Sequence, residues 1–398
     1  ALRGVQCILV EKGDLNSGAS GANHGLLHSG ARYIHTDPES SKECAQENRI
    51  LKELTPQCIE DTGGIYVALE GDDENYIADF PGHCQKCNVA VDKIDVKDVL
   101  EFEPAVSENI IAAYKTQDAS IDPFRLSLEN ISQARDLGTK LFCHHSVKEF
   151  KIRNNKIQRV CLENVFDGST LEVEADYIVN AAGAWVGEIV QKAGLSIGIV
   201  YSKGTLIITA HRMSNHAILR LRWPSDADAM VPAGTVSIVG PTSIREKSLN
   251  NIRPTVKEVD EILLEASTYL PDLWGASYIR AFSGVRPLIS SGPSGDDRSL
   301  SRGFTLLDHA QEGVDNFVTI AGGKLSTYRL MAEKLSNFVC ERLGVSKPCL
   351  TRVKPLKGAQ INRWTDSKHA PKEWFKNCNN NDKLLCECEF VSQKTIEK

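Results

Sequence analysis

Gly4-Val5-Gln6-Cys7-Ile8-Leu9-Val10-Glu11 is the stretch on which the fold turns. An apolar run ending in a carboxylate matches the second strand of a dinucleotide-binding unit, where the acid grips a ribose hydroxyl. Glu11 is therefore the ribose candidate. In such a unit the glycine-rich phosphate loop lies about 20 residues ahead of the acid. Counting back from Glu11 runs off the start of the sequence. Ala1-Leu2-Arg3-Gly4 then reads as the tail of the first helix, stopped by glycine, and the loop is expected to precede residue 1. The expectation is a nucleotide-cofactor enzyme of mixed α/β class.

The bulk properties narrow the class. A chain of 398 residues has room for two or three domains with real cores. Its 41% hydrophobic and 25% charged residues are those of a globular protein in water. A net charge of −6 argues against a nucleic-acid partner. No apolar run approaches the roughly 18 residues that a membrane span needs. The twelve cysteines are scattered, and Cys7 and Cys143 sit inside apolar strand patterns, as reduced thiols of a cytoplasmic protein do. Cys84-x-x-Cys87 has zinc-like spacing but no second pair nearby, so it reads as two plain thiols.

Along the chain, residues 12–36 form a glycine-rich connection and residues 39–54 have helical character. Residues 63–69 read as a turn and strand, and 72–105 as a charged, mixed stretch. Asp122-Pro123 opens a helix closed by Leu137-Gly138. Lys140–Cys143 is a short strand, and 147–175 alternates like β-hairpins around Asn154-Asn155 and Asp167-Gly168. Asp176–Trp185 is a buried strand running into a small-residue turn. Residues 197–245 are strand-rich, 254–269 an amphipathic helix, Phe317–Ala321 a buried strand, and 326–342 a helix. Strands near 5, 141, 178 and 317 belong to one discontinuous nucleotide domain interrupted by β-rich insertions.

Four constellations carry chemistry. Glu11 is the first. The second, Asn16 to Tyr33, contains Gly18, Gly21, Gly25 and Gly30, whose small size lets backbone N–H groups approach a phosphate or a flat ring. It also holds His24, His28, Arg32 and Tyr33. In the third, Ser283-Gly284-Val285-Arg286-Pro287-Leu288, an arginine is held rigidly and can fork onto an anion. The fourth, Thr319 to Arg329, runs a buried strand through Gly322-Gly323-Lys324 into a helix start, an electropositive end suited to an electron-rich ring. It is not a Walker loop, because that spacing is absent.

Taken together, Asn23-His24-Gly25-Leu26-Leu27-His28-Ser29-Gly30-Ala31-Arg32-Tyr33, Ile121-Asp122-Pro123-Phe124-Arg125-Leu126, Val179-Asn180-Ala181-Ala182-Gly183, Pro224-Ser225-Asp226-Ala227-Asp228, Ser283 to Leu288 and Gly322 to Glu333 resemble the FAD-dependent glycerol-3-phosphate dehydrogenases of the D-amino-acid-oxidase-like superfamily. The likeness is to their anaerobic, large-subunit branch. It implies a Rossmann-like FAD domain (1–60, 120–195 and 305–345) and an inserted antiparallel substrate sheet (61–119 and 196–304). A linker (346–380) and the start of a [2Fe-2S] domain (381–398) follow. Cys386 and Cys388 resemble the first ligands of that cluster, whose other ligands the sequence lacks. Without the amino-terminal loop and those ligands, the chain as given is expected to bind FAD weakly or not at all and not to assemble the cluster.

The resemblance further implies oxidation of sn-glycerol 3-phosphate to dihydroxyacetone phosphate. Electrons would pass to a quinone through electron-transfer and membrane-anchor subunits, placing the protein at the cytoplasmic face of a membrane. Arg286 is the first choice for the phosphate, followed by Arg302. Arg32 would hold the phosphate or polarise the C2 oxygen, with Tyr33 beside it. His28 is the base candidate, since an ordinary imidazole titrates near neutral pH, and Lys324 lies by the flavin or substrate. FAD contacts fall to Glu11, Ser17, Gly18, Ala19, Asn23, His24, Gly25, Leu26, Val147, Ala182, Gly183, Gly323, Lys324, Leu325, Ser326 and Thr327. Trp185 is read as core. Two alternatives are a 2-hydroxy-acid dehydrogenase of the same fold and a non-catalytic flavoprotein subunit.

Overall fold

The computed structural model describes residues 1–289, 303–360, 383–386 and 391–393. Ile8–Val10 pairs in parallel with Lys140–Phe142, and Ile178–Asn180 pairs in parallel with Phe317–Gly322. Parallel neighbours need long crossovers. The first is closed by the helix Pro123–Asp136, where Asp122 Oδ1 accepts the N–H groups of Phe124 and Arg125 at 2.9 and 3.0 Å. This is the Asp-Pro start expected from the sequence. Phe304–Asp308 adds an antiparallel edge to Phe317–Gly322. A meander of His145–Arg153, Lys156–Asn164 and Thr170–Val173 packs Val147 and Phe150 into the core of Leu162, Val190 and Phe317.

The larger sheet has nine strands drawn from residues 64–116 and 199–289. Expected to be antiparallel throughout, it contains one parallel pair, Gly64–Leu69 with Ala217–Arg220. The chain leaves the sheet after Ile110–Thr116, re-enters it at Ile199–Thr209 and only then lays Ala217–Arg220 beside the earlier Gly64–Leu69.

The charged stretch 72–105 is more regular than its composition predicts. It forms the helix Glu74–Lys86, the strand Val91–Ile94 and the helix Val96–Phe102. Tyr76, Phe80 and Cys84 make a buried stripe at helical spacing, diluted in sequence by Pro81 and Gly82. Asp73 and Asp95 cap the two helices. Thr255 and Glu258 form a capping box that starts Val256–Ala266, which shares a core with Val99, apart from that of Tyr76 and Phe80. Cys84 and Cys87 are buried thiols, and no metal-holding group of three or more side chains occurs among the described residues.

Candidate active site

The two sheets meet over the connection between Glu11 and Asp37. Its strand Leu26–Leu27 pairs with Ala119–Ile121, which leaves the next residue, His28, facing the interior. The backbone N–H of His28 donates to Ser326 Oγ at 2.9 Å, joining the second constellation to the fourth. His28 Nε2 lies 3.3 Å from the Tyr33 hydroxyl, and Lys324 Nζ sits 4.7 Å above the Tyr33 ring. The His24 ring is 5.7 Å from that of His28. Burial holds both imidazoles in the neutral form. His24 is pushed down to about 3, first by burial and then by Arg286 and Arg32. His28 lies well below its ordinary value through burial, His24, Arg32 and Lys324.

Arg286 is positioned by glycine. On the strand pair Ile199–Thr209 and Tyr278–Ile289, Gly204 stands opposite Gly284 and Ser202 opposite Arg286. A β-carbon on Gly204 would lie 2.4 Å from Arg286 Nη2, so the guanidinium lies on the bare backbone. Its Nη1 and Nη2 donate to Thr242 O at 3.3 Å. A β-carbon on Gly284 would lie 2.3 Å from Ala22 O, so the glycine-rich connection crosses the sheet at that rung.

Arg32 is anchored by a turn of the larger sheet. Its Nη1 donates to Asp228 Oδ2 and its Nη2 to Ser225 O, both at 3.0 Å. Asp228 is buried and also accepts from Arg222 Nε at 2.9 Å. Both terminal nitrogens of Arg32 bond to the Pro224–Asp228 turn, so the residue ties the glycine-rich connection to the larger sheet.

A cleft of about 640 Å³ opens on the outer side of this connection. Ser17, Gly18, Asn23, His24 and Gly25 line one wall, and Phe282, Ile208 and Ile238 the other. Size, glycine backbone and apolar faces together suit a flat ring system with polar edges, so the residues present fit FAD. His28, Arg32, Arg286 and Lys324 do not line the cleft; His24 does, and its ring lies 5.7 Å from that of buried His28.

Other expected contacts are distributed as follows. Glu11 Oε1 accepts the Gly13 N–H at 2.7 Å. Leu26 is a core side chain, 2% exposed, because its strand turns it inward. Trp185, read as core, is half-buried, and a β-carbon on Gly18 would touch its ring at 3.4 Å. Ala182 and Gly183 form the turn into the short helix Gly183–Trp185, fixed by Asn180, whose Nδ2 donates to Val186 O at 2.9 Å. Gly323 has φ +81° and turns the chain so that Ser326 meets His28; Leu325 packs near Leu27, and Thr327 Oγ1 donates to Lys324 O at 3.3 Å. Ala19 O accepts from Asn23 Nδ2 at 3.1 Å. Cys386 ends the strand Leu384–Cys386, whereas Arg302 and Cys388 lie outside the described residues. The sequence reading missed Asp118 and the role of Asp228, single carboxylates with no periodic signal to betray them.

The family model for FAD dependent oxidoreductase matches residues 1–329. One named subunit of the anaerobic glycerol-3-phosphate dehydrogenase of Escherichia coli is 39% identical over 421 residues, covering 100% of this chain and 77% of that protein. The like-named subunit from Haemophilus influenzae is 39% identical over 91% of this chain and 65% of its own length. The glycerol-3-phosphate dehydrogenase of Bacillus halodurans, solved in complex with FAD, shares the fold with TM-score 0.69 and 22% identity, over 90% of this chain and 64% of that one. The chain belongs to the FAD-dependent oxidoreductases and, among them, to the family of these anaerobic glycerol-3-phosphate dehydrogenase subunits.

Proposed function

We propose that this protein oxidises sn-glycerol 3-phosphate at C2 to dihydroxyacetone phosphate. The observation that carries the reading is Arg286, a guanidinium laid on bare sheet backbone whose charge, with burial, holds the His24 imidazole neutral. The names of the relatives support the substrate. A carbinol becomes a carbonyl by losing a hydride from carbon and a proton from oxygen. Bound FAD supplies the hydride acceptor. His28 takes the hydroxyl proton at Nε2, directly or through the Tyr33 hydroxyl, and its neutral form leaves a lone pair for that task. Arg286 forks onto the phosphate. Lys324 adds positive charge where the oxygen becomes negative.

FAD would be held by Glu11 at the ribose and by the Ser17, Gly18, Asn23 to Gly25, Val147, Ala182, Gly183 and Gly323 to Thr327 backbone. Electrons then leave for partner subunits and a quinone at the cytoplasmic face of the membrane. The relatives are named as one subunit among several, which supports partners, and no described helix is long and apolar enough to cross a membrane. The test is an anaerobic titration of the full-length, FAD-loaded protein. Glycerol 3-phosphate should bleach the flavin absorbance. Bleaching by a 2-hydroxy acid alone would overturn the substrate, and no bleaching by either would favour a non-catalytic role.

A further inference from the structure

We propose that Asp118 is a positioning residue for His28: it orients the imidazole and keeps the proton on Nδ1, so that Nε2 is the proton acceptor. Asp118 lies between the strands Ile110–Thr116 and Ala119–Ile121 and is 0% exposed. Its carboxylate is fixed from three sides. Oδ1 accepts the Ser29 N–H at 2.9 Å, and Oδ2 accepts the hydroxyls of Ser29 at 2.6 Å and Thr116 at 2.5 Å. Through Ser29 it holds the backbone next to His28.

The same Oδ1 lies 4.0 Å from His28 Nδ1, a buried nitrogen with no hydrogen-bond partner in the structure. On the other edge of the ring, Nε2 faces the Tyr33 hydroxyl. Two neutral tautomers are available. With the proton on Nε2, the Nδ1 lone pair would face a buried carboxylate, a repulsive arrangement in a low-dielectric interior. With the proton on Nδ1, the N–H points toward Asp118 and the Tyr33 O–H donates to Nε2. The second arrangement is electrostatically favoured. It also prepares the ring for a second proton, because the carboxylate offsets a new positive charge that His24, Arg32 and Lys324 oppose.

This inference rests on His28 being the base, and the experiment separates the two ideas. Asn replaces Asp118 without a change of shape, and its amide can still bond to Ser29 and Thr116. In the full-length, FAD-loaded protein, Asp118→Asn should slow anaerobic flavin reduction about 10- to 100-fold, part of the range a positioned base contributes, with little change in the substrate concentration for half-maximal rate. His28→Gln should slow it at least as much. The double variant should be no slower than His28→Gln alone, because Asp118 acts through His28.

Nitrogen NMR of the substrate-free protein supplies a readout independent of turnover, with the His28 signals identified by their loss in His28→Gln. Wild type should show the Nδ1–H tautomer, and Asp118→Ala, which removes the oxygen that the Ser29 N–H holds toward Nδ1, should shift it toward Nε2–H. An unchanged tautomer, or effects that multiply in the double variant, would overturn the proposal. Wild-type reduction by His28→Gln would overturn the base reading alone, and the tautomer result would then decide the role of Asp118 by itself.

Discussion

The Arg286 guanidinium lies on the backbone of Gly204, so close that a β-carbon there would be 2.4 Å from Nη2. The space left by a missing side chain sets where the cation can stand. Gly204→Ala should push Arg286 off Thr242 O without unfolding the sheet. We expect kcat/KM for glycerol 3-phosphate to fall about 10- to 100-fold, as for a weakened bond to a charged group worth about 1.5–3 kcal/mol, mostly through KM. Steady-state kinetics and a thermal melt check this. A large loss of melting temperature with normal KM would contradict it.

Arg32 and Asp228 make a stability prediction. Removing the buried carboxylate in Asp228→Ala leaves Arg32 and Arg222 without their shared partner and should cost about 3–5 kcal/mol. Arg32→Met should cost less, because Asp228 keeps Arg222 and the Ser225 N–H. Urea midpoints would measure both. If Arg32→Met kept the wild-type midpoint and raised only KM, Arg32 would be a substrate ligand after all.

The enclosed histidines predict an acid dependence. His24 binds its proton at about pH 3 when folded and near 6.5 when unfolded. Between those values the unfolded chain carries the extra proton, so stability is intact above pH 6.5 and falls as the pH drops toward 3. Full separation corresponds to about 1.4 kcal/mol per pH unit for one group. His28 acts in the same direction, whereas buried Asp118, whose carboxyl is raised, acts in the opposite one. Replacing His24 by Gln should flatten the slope of unfolding free energy between pH 6 and pH 4 by about one proton. A slope equal to wild type would show that the ring is solvated.

Gly323 should tolerate no side chain. Its φ is +81°, and a β-carbon would lie 2.2 Å from Met331 Sδ. Gly323→Ala is expected to destabilise by about 1–3 kcal/mol, typical of strain in a left-handed backbone, and to weaken FAD binding by moving Ser326 from His28. Pairing it with Met331→Ala relieves the collision but not the backbone strain, so the double variant should recover only part of the loss.

Residues 8–10, the Asp122-Pro123 helix start and the Asn154-Asn155 turn were legible because local chemistry decides them. Asn154 and Asn155 both adopt positive φ, as a tight hairpin requires. The helix Glu74–Lys86 was not, since its apolar stripe is only three residues deep and contains Pro81. At the candidate site, His28, Tyr33, Arg286 and Lys324 stand out by residue type and setting, and the structure brings the first two and Lys324 together. What Arg32 does was not: its partner is 196 positions away, and sequence carries no sign of which of several acids will be buried against it. Asp118 was hidden for the same reason, as it becomes distinctive only once Ser29 is folded over it.

Gly204 and Gly284 occupy one rung of the same ladder. One admits the Arg286 guanidinium and the other the glycine-rich connection at Ala22, so both are indexed to strand register and not to side-chain packing. A slip of one residue in either strand would turn that strand's gap to the opposite face and separate it from the other. The guanidinium and the glycine-rich connection therefore share a single mechanical reference point, and drift elsewhere in the large sheet can reshape the walls of the candidate site without changing the spacing between them.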